Sequence, residues 1–166
     1  MSVTPDWVRM MAQYNAWQNG WMIPAASGLS VDARQLDRGA FFGSIHGTLS
    51  HLLWGDSLWM GRFDGGDAPD APIEAGTQNF PDWDGYVAAR GAMDQRITRW
   101  AASLGDGDVL GELTFWSGTK QADLVVPKAK VFTHFFNHQT HHRGQVHGML
   151  TGAGVTTPDT DLLFME

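Results

Sequence analysis

Four of the chain's seven histidines lie within nine residues, in the segment His134-Phe-Phe-Asn-His138-Gln-Thr-His141-His142-Arg143-Gly144-Gln145. Drawn as a helix at roughly 100° per residue with His138 at zero, Val131, Phe135, Val146 and Met149 fall between about 20° and 80°. His142 falls among them near roughly 40°, while His134 and His141 sit at the edge of the stripe, near roughly −40° and −60°. A helix with this face packs inward and takes two imidazoles with it. Buried nitrogens without partners cost on the order of 1–3 kcal/mol, so the fold must supply hydrogen bonds or a shared ion. For a single inward histidine, a hydrogen-bonded core residue is sufficient. For His138 and His142 at i, i+4, the spacing leaves a core pair and a metal site both open.

Two nitrogens do not complete a site, since first-row metals usually take three or more protein ligands. His51 is the third candidate, within Ser44-Ile-His46-Gly-Thr-Leu-Ser-His51-Leu-Leu-Trp-Gly-Asp56-Ser-Leu-Trp-Met-Gly-Arg-Phe63. Ile45, Leu49, Leu52, Leu58, Trp59 and Phe63 give that segment a broad apolar helical side, with His51 and Leu58 at i, i+7 on it. His46 and Asp56 each lie about 140° round from His51, outside its face. Taken alone, the position of His51 singles out nothing.

The rest of the chain supplies a frame of four principal helices. The first is predicted over Pro5 to Leu29, with Met10, Tyr14, Trp17 and Trp21 read as core and Pro24 as a kink near its end. The second is predicted over Ala40 to Phe63, and the third over Trp83 to Leu104 with Asp82 as N-cap. The fourth follows Pro127 and runs to about Thr151. Between the second and third, Asp64 to Pro81 is rich in Gly, Pro and Asp, and a connection of that length tends to be mobile or functional. Glu112–Trp116 and Gln121–Val126 alternate on either side of a Ser117-Gly118 turn and predict a small β-hairpin. The expected fold is all-α: an up-down-type four-helix bundle with a crossover insertion, the hairpin preceding the fourth helix, in one domain spanning residues 1–166. Gly144, Gly148 and Gly152 form a row on another side of the fourth helix. Close packing inside the bundle is its first reading, and a subunit contact its second.

Composition removes several classes of function. With no cysteine among 166 residues, disulfides, thiolate ligands and a cysteine nucleophile are all excluded. The start of the chain lacks the layout of a signal peptide, and no window approaches the ~18–20 apolar residues of a membrane span, so a cytoplasmic protein without membrane partners is expected. A formal net charge of −7 argues against a nucleic-acid partner, which requires Lys and Arg against phosphates.

Three segments together carry a family resemblance: Tyr14-Asn-Ala-Trp17-Gln-Asn, Gly47-Thr-Leu-Ser-His51-Leu-Leu-Trp-Gly-Asp56, and Asn137-His138-Gln-Thr-His141-His142-Arg143-Gly144-Gln145-Val146-His147. The tail Gly152-Ala-Gly-Val-Thr-Thr-Pro-Asp-Thr-Asp161-Leu-Leu fits the same pattern. The chain resembles the DinB-like, or YfiT-like, metalloenzyme superfamily of damage-inducible proteins over nearly its whole length. His-x-x-x-His-Arg-Gly-Gln is the most specific element. The resemblance implies one divalent transition metal held by His51, His138 and His142, with zinc or nickel foremost and manganese, cobalt or iron also accommodated. It also implies a homodimer and a small-molecule substrate, and relatives include enzymes that use low-molecular-weight thiols.

Chemistry narrows this further. Gln139 stands where a His-Glu-x-x-His protease would carry its general base, so peptide hydrolysis by that mechanism is not expected. Gln145, near roughly −20° on the wheel, is a candidate contact to the ligands or to substrate. His141 is a candidate for an outer hydrogen bond or proton transfer, or an exposed spare. Arg143 points away from the ligands, toward structural ion pairing or a subunit contact, and no catalytic base is evident. The leading expectation is a metal-dependent thiol S-transferase in stress or detoxification. A hydrolase using metal-bound water, a metal-binding stress protein without turnover, and purely structural histidines are the alternatives.

Overall fold

The computed structural model describes residues 3–69, 72–78, 80 and 82–165. Four long helices carry the architecture: α1 (Pro5–Ser27), α3 (Ile45–Asp64), α4 (Trp83–Ser103) and α5 (Lys128–Gly152), with a short α2 (Val31–Gln35) after α1. α1 packs on α4 and α5, and α3 packs on the same two helices. Hence α1 lies diagonal to α3, and α4 diagonal to α5. Each diagonal passage needs extra chain, and α2 and the hairpin lie in those two connections. The helical bundle with its hairpin is as predicted.

Helix ends follow local chemistry. Thr4 caps α1, its Oγ1 accepting from the Trp7 amide, with Pro5 opening the helix. Asp82 caps α4 as predicted, accepting from the Gly85 amide at 2.7 Å. The predicted start of the second helix at Ala40 is wrong: α3 begins at Ile45. Gly43 sits at φ 71°, a left-handed conformation that breaks any helix running through it, and Ser44 then caps Gly47 at 3.0 Å. Phe42 is thereby held in a turn, with Ala40 and Gly43 forming an isolated bridge.

The antiparallel strands β1 (Glu112–Ser117) and β2 (Ala122–Pro127) pair Leu113 with Val126 and Phe115 with Leu124. Phe115 meets the edge of Trp59, and the guanidinium of Arg62 lies over both rings, docking the hairpin on α3. Part of the predicted crossover forms a 3-10 turn, Ile73–Gln78, packed on α3. Asp70, Ala71, Asn79 and Pro81 of that crossover lie outside the described residues.

The bundle interior has two halves of different character. One is aromatic, with Phe63, Trp100, Phe132 and Phe135 stacked or edge-on at 4.9–5.4 Å. The other is polar and charged. Asp56 is fully buried and accepts from Arg90 at 2.6 Å and from Gln139 at 3.0 Å. Arg90 pairs with Asp94 at 2.8 Å, and Asp94 accepts from Asn15 and Asn19 of α1. Arg143, also buried, donates to the side-chain Oδ1 of Asn15 and lies over the Tyr14 ring.

That polar half explains a second correction. Met10, Tyr14, Trp17 and Trp21 are only half-buried, whereas Val8, Ala12, Asn15, Asn19, Met22 and Ala26 form the inner face of α1. The aromatics flank it, Trp21 against His147 and Tyr14 donating to the Thr160 carbonyl. The glycine row is corrected too. Gly144, Gly148 and Gly152 are exposed, and a Cβ at any of them would meet nothing within 4 Å, so no helix of the bundle packs there.

Candidate metal centre

His51 on α3 and His138 and His142 on α5 converge where these two helices touch. One nitrogen from each lies within 4.8 Å of the other two. The Nε2 atoms of His51 and His138 are 3.3 Å apart, one donating and the other accepting. A tetrahedral ion with ~2.0–2.1 Å bonds to nitrogen would set its ligands ~3.3–3.4 Å apart, so this pair is already spaced for a shared ion. His51 and His142 are buried and His138 is half-buried.

A glycine makes the convergence possible. Gly55 follows His51 by one turn and therefore shares its face, and a Cβ there would lie 2.9 Å from His138 Cε1. Only a residue without a side chain lets α5 bring His138 alongside His51. The i, i+4 spacing of His51 and Gly55 is visible in the sequence, but it gains meaning only once α5 lies opposite.

The outer contacts differ among the three rings. His142 Nδ1 donates to Gln145 Oε1 at 2.8 Å, which leaves the Nε2 lone pair free. His51 and His138 have no such partner, their Nδ1 atoms being buried and without a hydrogen bond among the described residues. Packing fixes their planes instead. His51 lies between Phe42, stacked at 3.8 Å and 26°, and Trp54 at 6.0 Å and 25°. Phe42 also reaches His142, with ring centroids 5.3 Å apart. Phe42 was hidden from the sequence analysis, because its predicted helix would have placed it elsewhere.

The electrostatics match a ligand role. Burial, and then the neighbouring His142, push His51 down to about 4. Burial and the four surrounding histidines push His138 down to about 3. Burial lowers His142 as well, opposed by its bond to Gln145. All three imidazoles are therefore neutral at pH 7, the form that binds a metal. A donor set of three neutral nitrogens, without thiolate or carboxylate, suits zinc, nickel or cobalt better than calcium or magnesium.

The remaining predicted positions sort clearly. Gln145 touches the triad through His142. His141 is exposed, its ring centroid 4.9 Å from that of His142. His134 is exposed against the edge of Trp59. His46 stays off the site, its Nε2 2.6 Å from the Phe80 carbonyl oxygen. Asp56 is held away by Arg90 and Gln139, and Arg143 is a buried structural residue on the α1 side.

The model of the DinB family matches residues 1–166. A crystal structure of a DinB-like protein from Bacillus cereus ATCC 10987 is similar in fold, with a TM-score of 0.54 and 17% identity over 87% of this chain and 91% of that one. No curated protein matches the chain significantly.

Proposed function

This chain belongs to the DinB family, and from that premise we propose that it is a metal-dependent enzyme whose ion is held by His51, His138 and His142 and whose reaction is S-transfer of a low-molecular-weight thiol to an electrophile. The observation that carries the reading is the meeting of three neutral imidazoles from two helices, two of them already at the spacing of a shared ion. A divalent ion there supplies Lewis acidity, lowering the pKa of a thiol or water that reaches it.

The chain's own groups define the rest. Gln145 fixes the His142 tautomer by accepting a hydrogen bond from its Nδ1–H, while Phe42 and Trp54 hold the plane of His51. Asp56, whose charge is felt at His142, has both oxygens engaged by Arg90 and Gln139, so it takes no proton from substrate. Thiol chemistry suits such a site, because a thiol that arrives acidic enough to ionise needs no strong base beside the ion. Thiol-independent hydrolysis is the competing reading, and the exposed His141 beside His142 is the observation in its favour, as a group able to take a proton at the rim.

The test begins with elemental analysis of untagged protein beside His51→Ala and His142→Ala. Near-stoichiometric metal in wild type and none in either variant is expected. Metal-loaded protein is then offered several thiols with a chromogenic electrophile, and separately an ester without thiol. Turnover only with a thiol supports transfer, turnover of the ester alone supports hydrolysis, and metal without either reaction leaves a binding protein. Wild type that stays empty when metal is offered removes the reading altogether.

A further inference from the structure

An open groove of about 650 Å³ runs between the turn that follows α2 and the C-terminal half of α5. That volume is within the ~300–1,000 Å³ range of small-molecule sites. Leu36, Asp37, Arg38 and Phe41 line it from the turn, and Gln145, Gly148 and Gly152 line it from α5.

Two of these residues connect the groove to the triad. Gln145 lines it and also accepts the hydrogen bond from His142 Nδ1. Phe41 lines it and packs edge-on, at 4.9 Å, against Phe42, which is the ring stacked on His51. A second hollow of about 430 Å³ on the other side of Phe42 is less suited to a ligand. Two of its polar side chains are already in use, His46 with Phe80 and Ser44 with Gly47, and no Arg or Lys lines it.

The groove has three features that the fold does not explain. Each helical glycine costs roughly 0.5–1 kcal/mol relative to alanine, yet Gly148 and Gly152 face open space and serve no close approach within the chain. Phe41 is 83% exposed and Leu36 55%, a large apolar wall left to water. Arg38 lines the groove and takes part in no ion pair among the described residues, with only its Nη2 spent, on the Ala33 carbonyl. The nearby Asp37 carboxylate folds back onto the Gly39 amide and shapes the turn.

We propose that this groove binds a flat, apolar small molecule bearing one acidic group, such as an aromatic carboxylate or sulfonate. The body lies on Gly148 and Gly152 against Phe41, the acid meets Arg38, and the other end reaches the histidines past Gln145. Its role as the second substrate rests on the proposed function, whereas binding itself does not.

The probe is 8-anilinonaphthalene-1-sulfonate, titrated by fluorescence into metal-free full-length protein, with uncharged N-phenyl-1-naphthylamine as its neutral counterpart. Gly148→Leu places a side chain in the groove from a position with open space, and it favours the helix, so the variant folds. It is expected to weaken both probes by about tenfold or more, while Gly144→Leu, on the same row but outside the groove, stays within about twofold. Arg38→Gln is expected to weaken the sulfonate about five- to tenfold and leave the neutral probe unchanged. No saturable binding by wild type, equal effects of the two glycine variants, or equal loss of both probes in Arg38→Gln would each overturn the proposal. Metal affinity is measured separately by competition with a chromophoric chelator. If the glycine contrast holds in a protein that takes no metal, the groove stands and the metal reading falls.

Discussion

Two buried polar clusters lie side by side in this bundle, and they are solved in opposite ways. Around Asp56 the charges are matched and bonded: two carboxylates, two guanidiniums, two asparagines and a glutamine join α1, α3, α4 and α5. Around His51 the groups are neutral, the nitrogens point at one another, and two Nδ1 atoms have no partner. The first arrangement leaves little for a ligand to add, and its desolvation cost is offset by pairing within the protein. The second has no charge of its own to balance, and its facing nitrogens are spaced so that an ion can replace the hydrogen bond between them. Charge-compensated burial marks structure here, even with Asn19 Oδ1, Arg90 Nε and Gln139 Oε1 left without partners among the described residues, whereas converging neutral nitrogens mark a site.

The comparison can be broken from either side. Asp56→Ala leaves Arg90 with Asp94 alone and should cost about 3–5 kcal/mol of folding stability in urea titration, while the metal affinity of the folded protein falls far less than in His51→Ala. If the affinity fell as far, the clusters would be one unit. For His51→Ala the expectation reverses. Zinc at a hundredfold excess over its Kd should stabilise wild type by about 2.7 kcal/mol and give the variant nothing, as read by unfolding with and without the ion.

Acid sharpens the contrast. His51 and His138 are held at about 4 and about 3, below the 6.5 of an unfolded histidine. As pH falls below 6.5 the unfolded chain takes up protons that the folded chain refuses, so metal-free stability declines toward pH 4. Urea titrations between pH 7.5 and 4.5 should show that slope in wild type and a shallower one in His138→Ala. The smallest effect is expected at Gln145. Replacement by Leu frees the His142 ring and should weaken metal binding about 10–100-fold in chelator competition, without lowering folding stability.

The four helices, the hairpin and the fourth-helix pair of histidines were legible because each rests on local periodicity. His51 was reached through the family resemblance, since nothing within its own helix distinguishes it. What stayed hidden depends on pairing between helices. Asn15 and Asn19 look like solvent-facing residues until Asp94 is placed opposite them, and the flanking tryptophans then look like the core. Phe42 was hidden by a helix start set five residues early. The glycine row was visible, but only the neighbours it lacks could give it meaning.

His51 and His138 meet across 87 positions of a chain that has no cysteine. An ion gripping both would close a loop containing the crossover, α4 and the hairpin, as a disulfide does in other chains. In the chain-entropy picture a closure of that length restricts the unfolded ensemble by roughly 4–5 kcal/mol. A disulfide is undone by a reductant, whereas this cross-link would be undone by a chelator. The durability of the fold, and the exposure of the looped segment to proteases, would then follow metal supply rather than redox state.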